Sequence, residues 1–109
     1  MGKAENKVEG YLKDQAEANG FLIYKFMSGH DGVPDRLLIG HGHTALIETK
    51  APDGRLRPLQ KAVIERMDDH GAEIYVAYTR EQVDKLLHRL MTHPRKRWSH
   101  ANKKGDYEP

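Results

Sequence analysis

Two short segments of the sequence carry acidic and basic side chains at a spacing suited to phosphate chemistry. Pro34-Asp35 opens one apolar run, and Glu48 and Lys50 stand two residues apart at the end of the next run. If residues 44–50 form a strand, alternation places Glu48 and Lys50 on one face, about 6–7 Å apart along the strand. A carboxylate and an ammonium group at that spacing can reach one phosphate group.

The two carboxylates, Asp35 and Glu48, predict a divalent cation. At a separation of ~5 Å they would repel each other by roughly 3 kcal/mol at an effective dielectric of about 20, and a bound cation removes that cost. The chain has no cysteine, and a site of oxygen ligands suits Mg²⁺ or Mn²⁺. Such a metal would polarise a phosphodiester and activate a water, while Lys50 orients the water or offsets charge in the transition state.

The first half of the chain contains a helical pattern followed by strand patterns. An apolar stripe through Val8, Leu12 and Ala16 predicts a helix over residues 4–18, and the aromatic and branched residues of segment 21–26 predict a strand. The two apolar runs on either side of residues 40–43, Gly-His-Gly-His, predict a pair of antiparallel strands joined by a hairpin turn.

The second half alternates helix, strand and helix. Apolar residues at three- and four-residue steps predict a helix from Leu56 to about residue 70, and residues 73–78 predict a fourth strand. A capping pattern at Thr79 opens a third helix, which ends before Pro94. The order α-β-β-β-α-β-α predicts an α/β (α+β) domain, a mixed four-stranded sheet flanked by helices, over residues 1–92. These patterns leave the strand order open.

Basic charge is concentrated in the C-terminal tail, residues 93–109. Residues 93–104 carry five Lys or Arg and no acid, and the tail has no hydrophobic period that predicts a helix or strand. It could follow a DNA backbone, with Trp98 stacking on an unpaired base, or be a disordered solubilising end. The candidate phosphate contacts are Lys25, Arg36, Arg55, Arg57, Lys61, Arg95, Lys96 and Arg97.

Hydropathy indicates no association with a membrane. No apolar run approaches the ~20 residues of a membrane span, and the charged first ten residues lack the apolar middle of a signal peptide. We therefore expect a cytoplasmic protein.

Three segments together resemble a known family of nucleases. They are G-V-P-D-R-L-L-I over residues 32–39, I-E-T-K over residues 47–50, and Gln60 in the following helix. This ordered combination resembles the VRR-NUC family, the virus-type replication-repair nucleases of the PD-(D/E)xK, restriction-endonuclease-like superfamily. An E-x-K motif alone is weak, and the specificity lies in the order and spacing of the set.

The resemblance, which covers residues 8–87, assigns roles by position. It implies Asp35 and Glu48 as metal ligands, Lys50 as the catalytic lysine and Gln60 as the glutamine beside the site. It further implies the backbone carbonyl of Thr49 as a ligand, and a glutamate of the first helix. Glu9 matches that glutamate best, with Glu5 one turn earlier as the alternative.

In function, the resemblance implies a DNA endonuclease dependent on Mg²⁺ (or Mn²⁺) that hydrolyses phosphodiester bonds in DNA repair, recombination or replication. We expect it to be structure-selective, similar to Holliday-junction resolvases, and to act on branched DNA as a homodimer, since two sites on a two-fold axis suit paired cuts. The alternatives are a nicking or exonucleolytic repair nuclease, or a non-catalytic DNA-binding or assembly module.

Each motif also has a simpler interpretation. An E-T-K segment can be a solvated charged strand face, Pro-Asp is a common turn opening, and a helical glutamine such as Gln60 is usually solvated. His30, His41 and His43 could contact phosphate or act as a base. We expect His41 and His43 to lie at the hairpin tip, which makes His30 the histidine to test.

Overall fold

The computed structural model describes residues 3–95, 100–101, 103–104 and 107–108. The α/β class and the predicted order of helices and strands are confirmed. In these ranges no helix has both the length and the apolar character needed to cross a membrane. The elements are α1 (Lys3–Ala18), β1 (Leu22–Lys25), β2 (Arg36–Gly40), β3 (His43–Thr49), α2 (Pro58–Asp69), β4 (Ile74–Ala77), α3 (Arg80–Thr92), β5 (His100–Ala101) and β6 (Tyr107–Glu108).

The main sheet has the strand order β1-β2-β3-β4, which the sequence patterns had left open. β1 pairs with β2, and β2 with β3, in antiparallel fashion, whereas β3 and β4 are parallel. Because parallel neighbours require a crossover between them, α2 carries the chain from the end of β3 back to the start of β4. The sheet is therefore mixed, as predicted.

A two-residue turn, His41-Gly42, joins β2 to β3. Both residues have positive φ, 51° and 82°, which is the conformation of the tight type I′ turn that suits the twist of a hairpin. A Cβ at position 42 would lie 1.9 Å from the carbonyl oxygen of Arg95, so the C-terminal segment passes directly over this turn. The turn fixes the register, in which Arg36 lies opposite Ile47.

The core lies between one face of the sheet and the helices α1 and α3, which pack on each other. The predicted stripe of α1 supplies three buried side chains, Val8, Leu12 and Ala16. The other face of the sheet is less covered, with Leu22 and Tyr24 of β1 54% and 52% exposed. The remaining buried core residues are Phe21, Leu38, Ala45, Ile47, Ala77, Val83, Leu86, Leu87 and Leu90.

The C-terminal tail contains more order than its composition predicts. The backbone N–H of Arg95 donates to the carbonyl oxygen of His41 at 3.0 Å, and β5 and β6 form a short antiparallel pair. Backbone pairing over two residues needs no apolar period, which is why the sequence pattern missed it. Lys96, Arg97 and Trp98 lie outside the described residues.

His43 stands beside the hairpin turn, as expected, but its side chain is buried. Its Nδ1 lies 3.0 Å from Glu73 Oε1, and its Nε2 lies 2.6 Å from the carbonyl oxygen of His93. Both ring nitrogens thus face oxygen atoms of other segments of the chain. His43 therefore ties β3 to the start of β4 and to the end of α3.

Candidate active site

Asp35 and Glu48 face each other across the β2–β3 hairpin. Asp35 stands one residue before β2, and extending the register from the Arg36–Ile47 pair places it opposite Glu48. The carbonyl oxygen of Asp35 accepts a hydrogen bond from the backbone N–H of Phe26 at 2.7 Å, so this position is also fixed to the chain beyond β1. The Asp35 side chain is 54% exposed, while that of Glu48 is 10% exposed.

Both carboxylates line one open cleft of about 400 Å³. Gln60, Lys25, Arg57 and His30 are among the other residues that line it. In the described part of the chain, no group of three or more His, Asp or Glu side chains is arranged to hold a metal. Two carboxylates do fit Mg²⁺, which is usually bound by one or two protein carboxylates, with water and phosphate oxygens completing its octahedron.

Lys50 lies beside Glu48 at the end of β3. Its backbone N–H donates to the carbonyl oxygen of Ala77 at 2.9 Å, which continues the β3–β4 pairing past the strand. Its Nζ is 3.4 Å from Glu48 Oε2, and the two side chains are only 14% and 10% exposed. The pair is therefore largely buried, unlike a solvated charged strand face.

Gln60 is held by the first turn of α2 with its amide directed at Glu48. Its Oε1 accepts the backbone N–H of Arg57 at 2.9 Å, and its Nε2 donates to Glu48 Oε2 at 3.4 Å. Because the amide oxygen is engaged by the helix N-terminus, the amide nitrogen is the group left for the carboxylate. At 8% exposure, Gln60 is not a solvated helical glutamine.

The glycine of the G-V-P-D segment brings the Asp35 loop against α2. Gly32 has φ of +92°, and a Cβ there would meet Val63 Cγ2 at 3.0 Å and the carbonyl oxygen of Leu59 at 3.2 Å. Pro34 is fully buried. The motif thus has a packing role, because it docks the loop before Asp35 on the helix that carries Gln60.

Glu9, the predicted metal ligand of the first helix, contacts Arg36, and its role as a ligand remains a prediction. Its carboxylate forms an ion pair with the Arg36 guanidinium, between α1 and β2. Glu9 lines a separate cleft with Lys13, Lys25 and Arg36 among others. The side chain of the alternative, Glu5, lies outside the described residues.

Thr49 is 5% exposed and ends β3, next to Ala77 of β4. The role assigned to Thr49 remains a prediction. The same holds for the roles of Asp35, Glu48, Lys50 and Gln60, although these four residues come together in space.

Two of the candidate phosphate contacts line this cleft. Lys25 and Arg57 line it, and Arg57 also lies 3.4 Å from the exposed carboxylate of Asp31. Arg55 and Lys61 are exposed nearby in the chain, whereas Arg36 is 19% exposed and engaged by Glu9. Arg95 is at the hairpin tip, 3.9 Å from Glu73.

The three histidines occupy different surroundings. His30 is exposed at the rim of the cleft, with Nδ1 2.9 Å from the carbonyl oxygen of Asp31. His41 lies in the hairpin turn, with Nε2 2.8 Å from the carbonyl oxygen of Asn19. Of the three, His30 alone lines the cleft.

Glu73, a carboxylate with a shifted pKa, lies outside the cleft. Burial acts to raise the pKa of Glu73, but hydrogen bonds from His43 and Tyr75, with the charges of His43 and Arg95, outweigh burial and lower it. The group is therefore a structural carboxylate that favours ionisation.

Comparison with known proteins places this geometry in a family. The profile of the VRR-NUC domain matches residues 11–81, a span that contains Asp35, Glu48, Lys50 and Gln60 but not Glu9. A solved structure described as a VRR_NUC domain has a TM-score of 0.71 and 32% sequence identity, covering 80% of this chain and 97% of that chain. Comparison with curated proteins found no match. The chain belongs to the VRR-NUC family, and it carries a nuclease-type domain.

Proposed function

We propose that the protein is a metal-dependent DNA endonuclease that hydrolyses phosphodiester bonds at branched DNA, similar to a Holliday-junction resolvase. The observation that carries the proposal is the pair of carboxylates, Asp35 and Glu48, opposed across one hairpin in a shared cleft. An ammonium group, Lys50 Nζ, lies 3.4 Å from Glu48. Two carboxylates in one cleft, with an ammonium group beside one of them, suit phosphodiester hydrolysis with a divalent metal.

Asp35 and Glu48 would hold the cation, with the Thr49 carbonyl as a further ligand. Bound there, Mg²⁺ or Mn²⁺ supplies the positive charge that polarises the phosphodiester and acidifies a water. Lys50 orients that water or offsets negative charge developing on the phosphate. Gln60 holds the Glu48 carboxylate in place through its amide, and so acts on the ligand and not on the substrate.

Binding of DNA is proposed to rest on phosphate contacts. Lys25 and Arg57 line the cleft itself, and Arg55 and Lys61 flank it in the chain. Arg95, Lys96 and Arg97 of the C-terminal tail are further candidates for phosphate contact. Contacts to phosphate position DNA without reading its sequence, which favours selection by shape.

A homodimer would suit this activity. A symmetric junction presents two equivalent strands, and two active sites related by a two-fold axis can cut both. The solved relative is 97% covered by the alignment, so that chain consists of little beyond this domain. The second active site would come from a second copy of the chain.

The test is cleavage of a labelled four-way junction and a matched linear duplex in Mg²⁺, Mn²⁺ or EDTA. We expect metal-dependent cutting that favours the junction. Asp35→Asn and Lys50→Ala should each lower the rate by about 10²–10³-fold, the loss typical of removing one preorganised electrostatic group. The matched controls are Asp14→Asn and Lys85→Ala, exposed residues of α1 and α3, which should cut normally.

Each contrary result has a distinct meaning. Cutting that survives in both site variants would refute the site. Equal cutting of nicked, flapped or linear DNA would favour the nicking or exonucleolytic alternative. DNA binding without cleavage in either metal would indicate the non-catalytic module.

A further inference from the structure

Met27 is a large apolar side chain that projects into solvent beside the candidate active site. It is 84% exposed, more than any other large apolar residue in the described part of the chain. Met27 also lines the cleft that contains Asp35 and Glu48. Single exposed apolar side chains are common on protein surfaces, and this one is distinguished by its place at the cleft and by the way its backbone is held.

The backbone is fixed on both sides of Met27. On one side, the N–H of Phe26 donates to the carbonyl oxygen of Asp35 at 2.7 Å, which ties the loop to a proposed metal ligand. On the other side, the Ser28 hydroxyl accepts the backbone N–H of His30 at 3.0 Å and so closes a turn. The Met27 backbone is therefore held between two anchored residues, while its side chain remains in solvent.

The surroundings of Met27 combine this apolar group with positive charge. Lys25 and Arg57 line the same cleft, and both are exposed. Cations at such positions bind phosphates and fix where DNA lies on the protein, so an apolar side chain beside them would face bases. Methionine is among the residues that proteins insert between base steps, and its unbranched thioether adapts to irregular gaps.

We propose that Met27 is a specificity-determining residue that inserts as a wedge against unstacked bases at the branch point of DNA. The inference rests on the proposed function, and it names a residue through which branched DNA is selected. Insertion into a continuous duplex requires bases to unstack, which is unfavourable. At a branch point part of the stacking is already broken, so the same insertion is less unfavourable. Met27 therefore favours branched over linear DNA without reading a base sequence.

The experiment compares Met27→Ala and Met27→Leu with the wild type. Binding of a labelled four-way junction and a matched linear duplex is measured by fluorescence anisotropy in EDTA, where the proposed reaction stops. In a second junction, a 2-aminopurine base at the branch point reports unstacking as a rise in its fluorescence. Leu22→Ala is the matched control, because it shortens a 54% exposed apolar side chain that does not line the cleft.

In Met27→Ala, the ratio of junction affinity to duplex affinity should fall about tenfold, as expected when an apolar side chain of this size loses a buried contact. The rise in 2-aminopurine fluorescence on binding should be lost with it. Met27→Leu restores both, since leucine keeps the apolar bulk of methionine. Leu22→Ala matches the wild type in both. The salt dependence of junction binding stays that of the wild type, because a wedge makes no phosphate contact.

The contrary results separate this inference from the proposed function. An unchanged affinity ratio or an unchanged 2-aminopurine signal in Met27→Ala overturns the wedge, while the proposed function stands if the wild type cuts the junction in Mg²⁺. Equal affinity of the wild type for junction and duplex, or no binding of either, overturns both. A changed sedimentation coefficient of free Met27→Ala would assign Met27 to a contact between two copies of the chain, and would also overturn the wedge.

Discussion

Replacing His43 with alanine should destabilise the fold by about 3 kcal/mol at neutral pH. The His43 side chain is 7% exposed and makes two hydrogen bonds, to the Glu73 carboxylate at 3.0 Å and to the His93 carbonyl at 2.6 Å. A hydrogen bond to a charged group contributes about 1.5–3 kcal/mol and a neutral one about 1 kcal/mol. Because Glu73 is 15% exposed, solvent compensates for little of the loss.

The same contact predicts how stability depends on pH. The pKa of Glu73 is lowered in the folded state from its ordinary value of 4.5. A lowered carboxylate pKa means that the unfolded chain binds the proton more tightly than the folded chain does. Ionised Glu73 therefore stabilises the fold above about pH 4.5, and this contribution is lost as the pH falls through the folded-state pKa. Without His43 the pKa of Glu73 rises, and this part of the acid sensitivity disappears.

The assay is urea unfolding followed by circular dichroism, from neutral pH to below pH 4.5, for wild type, His43→Ala and Glu73→Gln. His88→Ala, at an exposed position of α3, is the matched control and should change stability by less than about 0.5 kcal/mol. A cost for His43→Ala no larger than that of the control would refute the energetic argument. An acid dependence in Glu73→Gln as steep as in the wild type would refute the pH argument.

Two more predictions concern the site helix and the hairpin turn. Gln60→Ala should lower the free energy of unfolding by about 1 kcal/mol through the lost helix cap, and it should also lower the cleavage rate. Gln60→Glu keeps an acceptor for the Arg57 N–H but sets a second carboxylate beside Glu48, so unfolding and cleavage assays of both variants separate the two effects. Equal cleavage by the wild type and both variants would refute the positioning role. Gly42→Ala should lower the free energy of unfolding by about 1–2 kcal/mol because of its left-handed backbone, and it should displace Arg95, so that the hydrogen of the Arg95 amide exchanges faster with solvent. Gly10→Ala is the control, since a Cβ there meets nothing within 4 Å. Unchanged hydrogen exchange at Arg95 in Gly42→Ala would contradict the close approach of the two segments.

Local patterns account for most of what the sequence predicts correctly. The stripe of α1 and the capping pattern at Thr79 depend on neighbours within a few residues, and the structure has Thr79 accepting from the Gln82 N–H. The hairpin turn at residues 41–42 is equally local. Asp35 and Glu48 lie opposite each other within one hairpin, which is why two motifs in the sequence were enough to place them side by side.

The features that the sequence patterns did not reveal depend on contacts between distant segments. Strand order requires knowing that α2 returns β4 to the side of β3. The burial of His43 depends on Glu73 and on the end of α3, none of which is visible from the hairpin sequence. The partner of Glu9 depends on which side of the sheet α1 covers. Helical periodicity shows that Glu9 shares a face with Leu12, but it does not show what lies opposite that face.

The length of the His41-Gly42 turn sets which residue on the β2 side of the hairpin stands across from Glu48. In a hairpin, inserting or deleting a residue at the turn slides one strand along the other, and a slip of one residue sends every side chain of that strand to the opposite face. One added residue would turn Arg36 or Pro34 towards the position that Asp35 now occupies. The turn lies at the far end of the two strands from the proposed metal ligands. Its length nevertheless determines the strand register, and therefore whether these two ligands lie opposite each other.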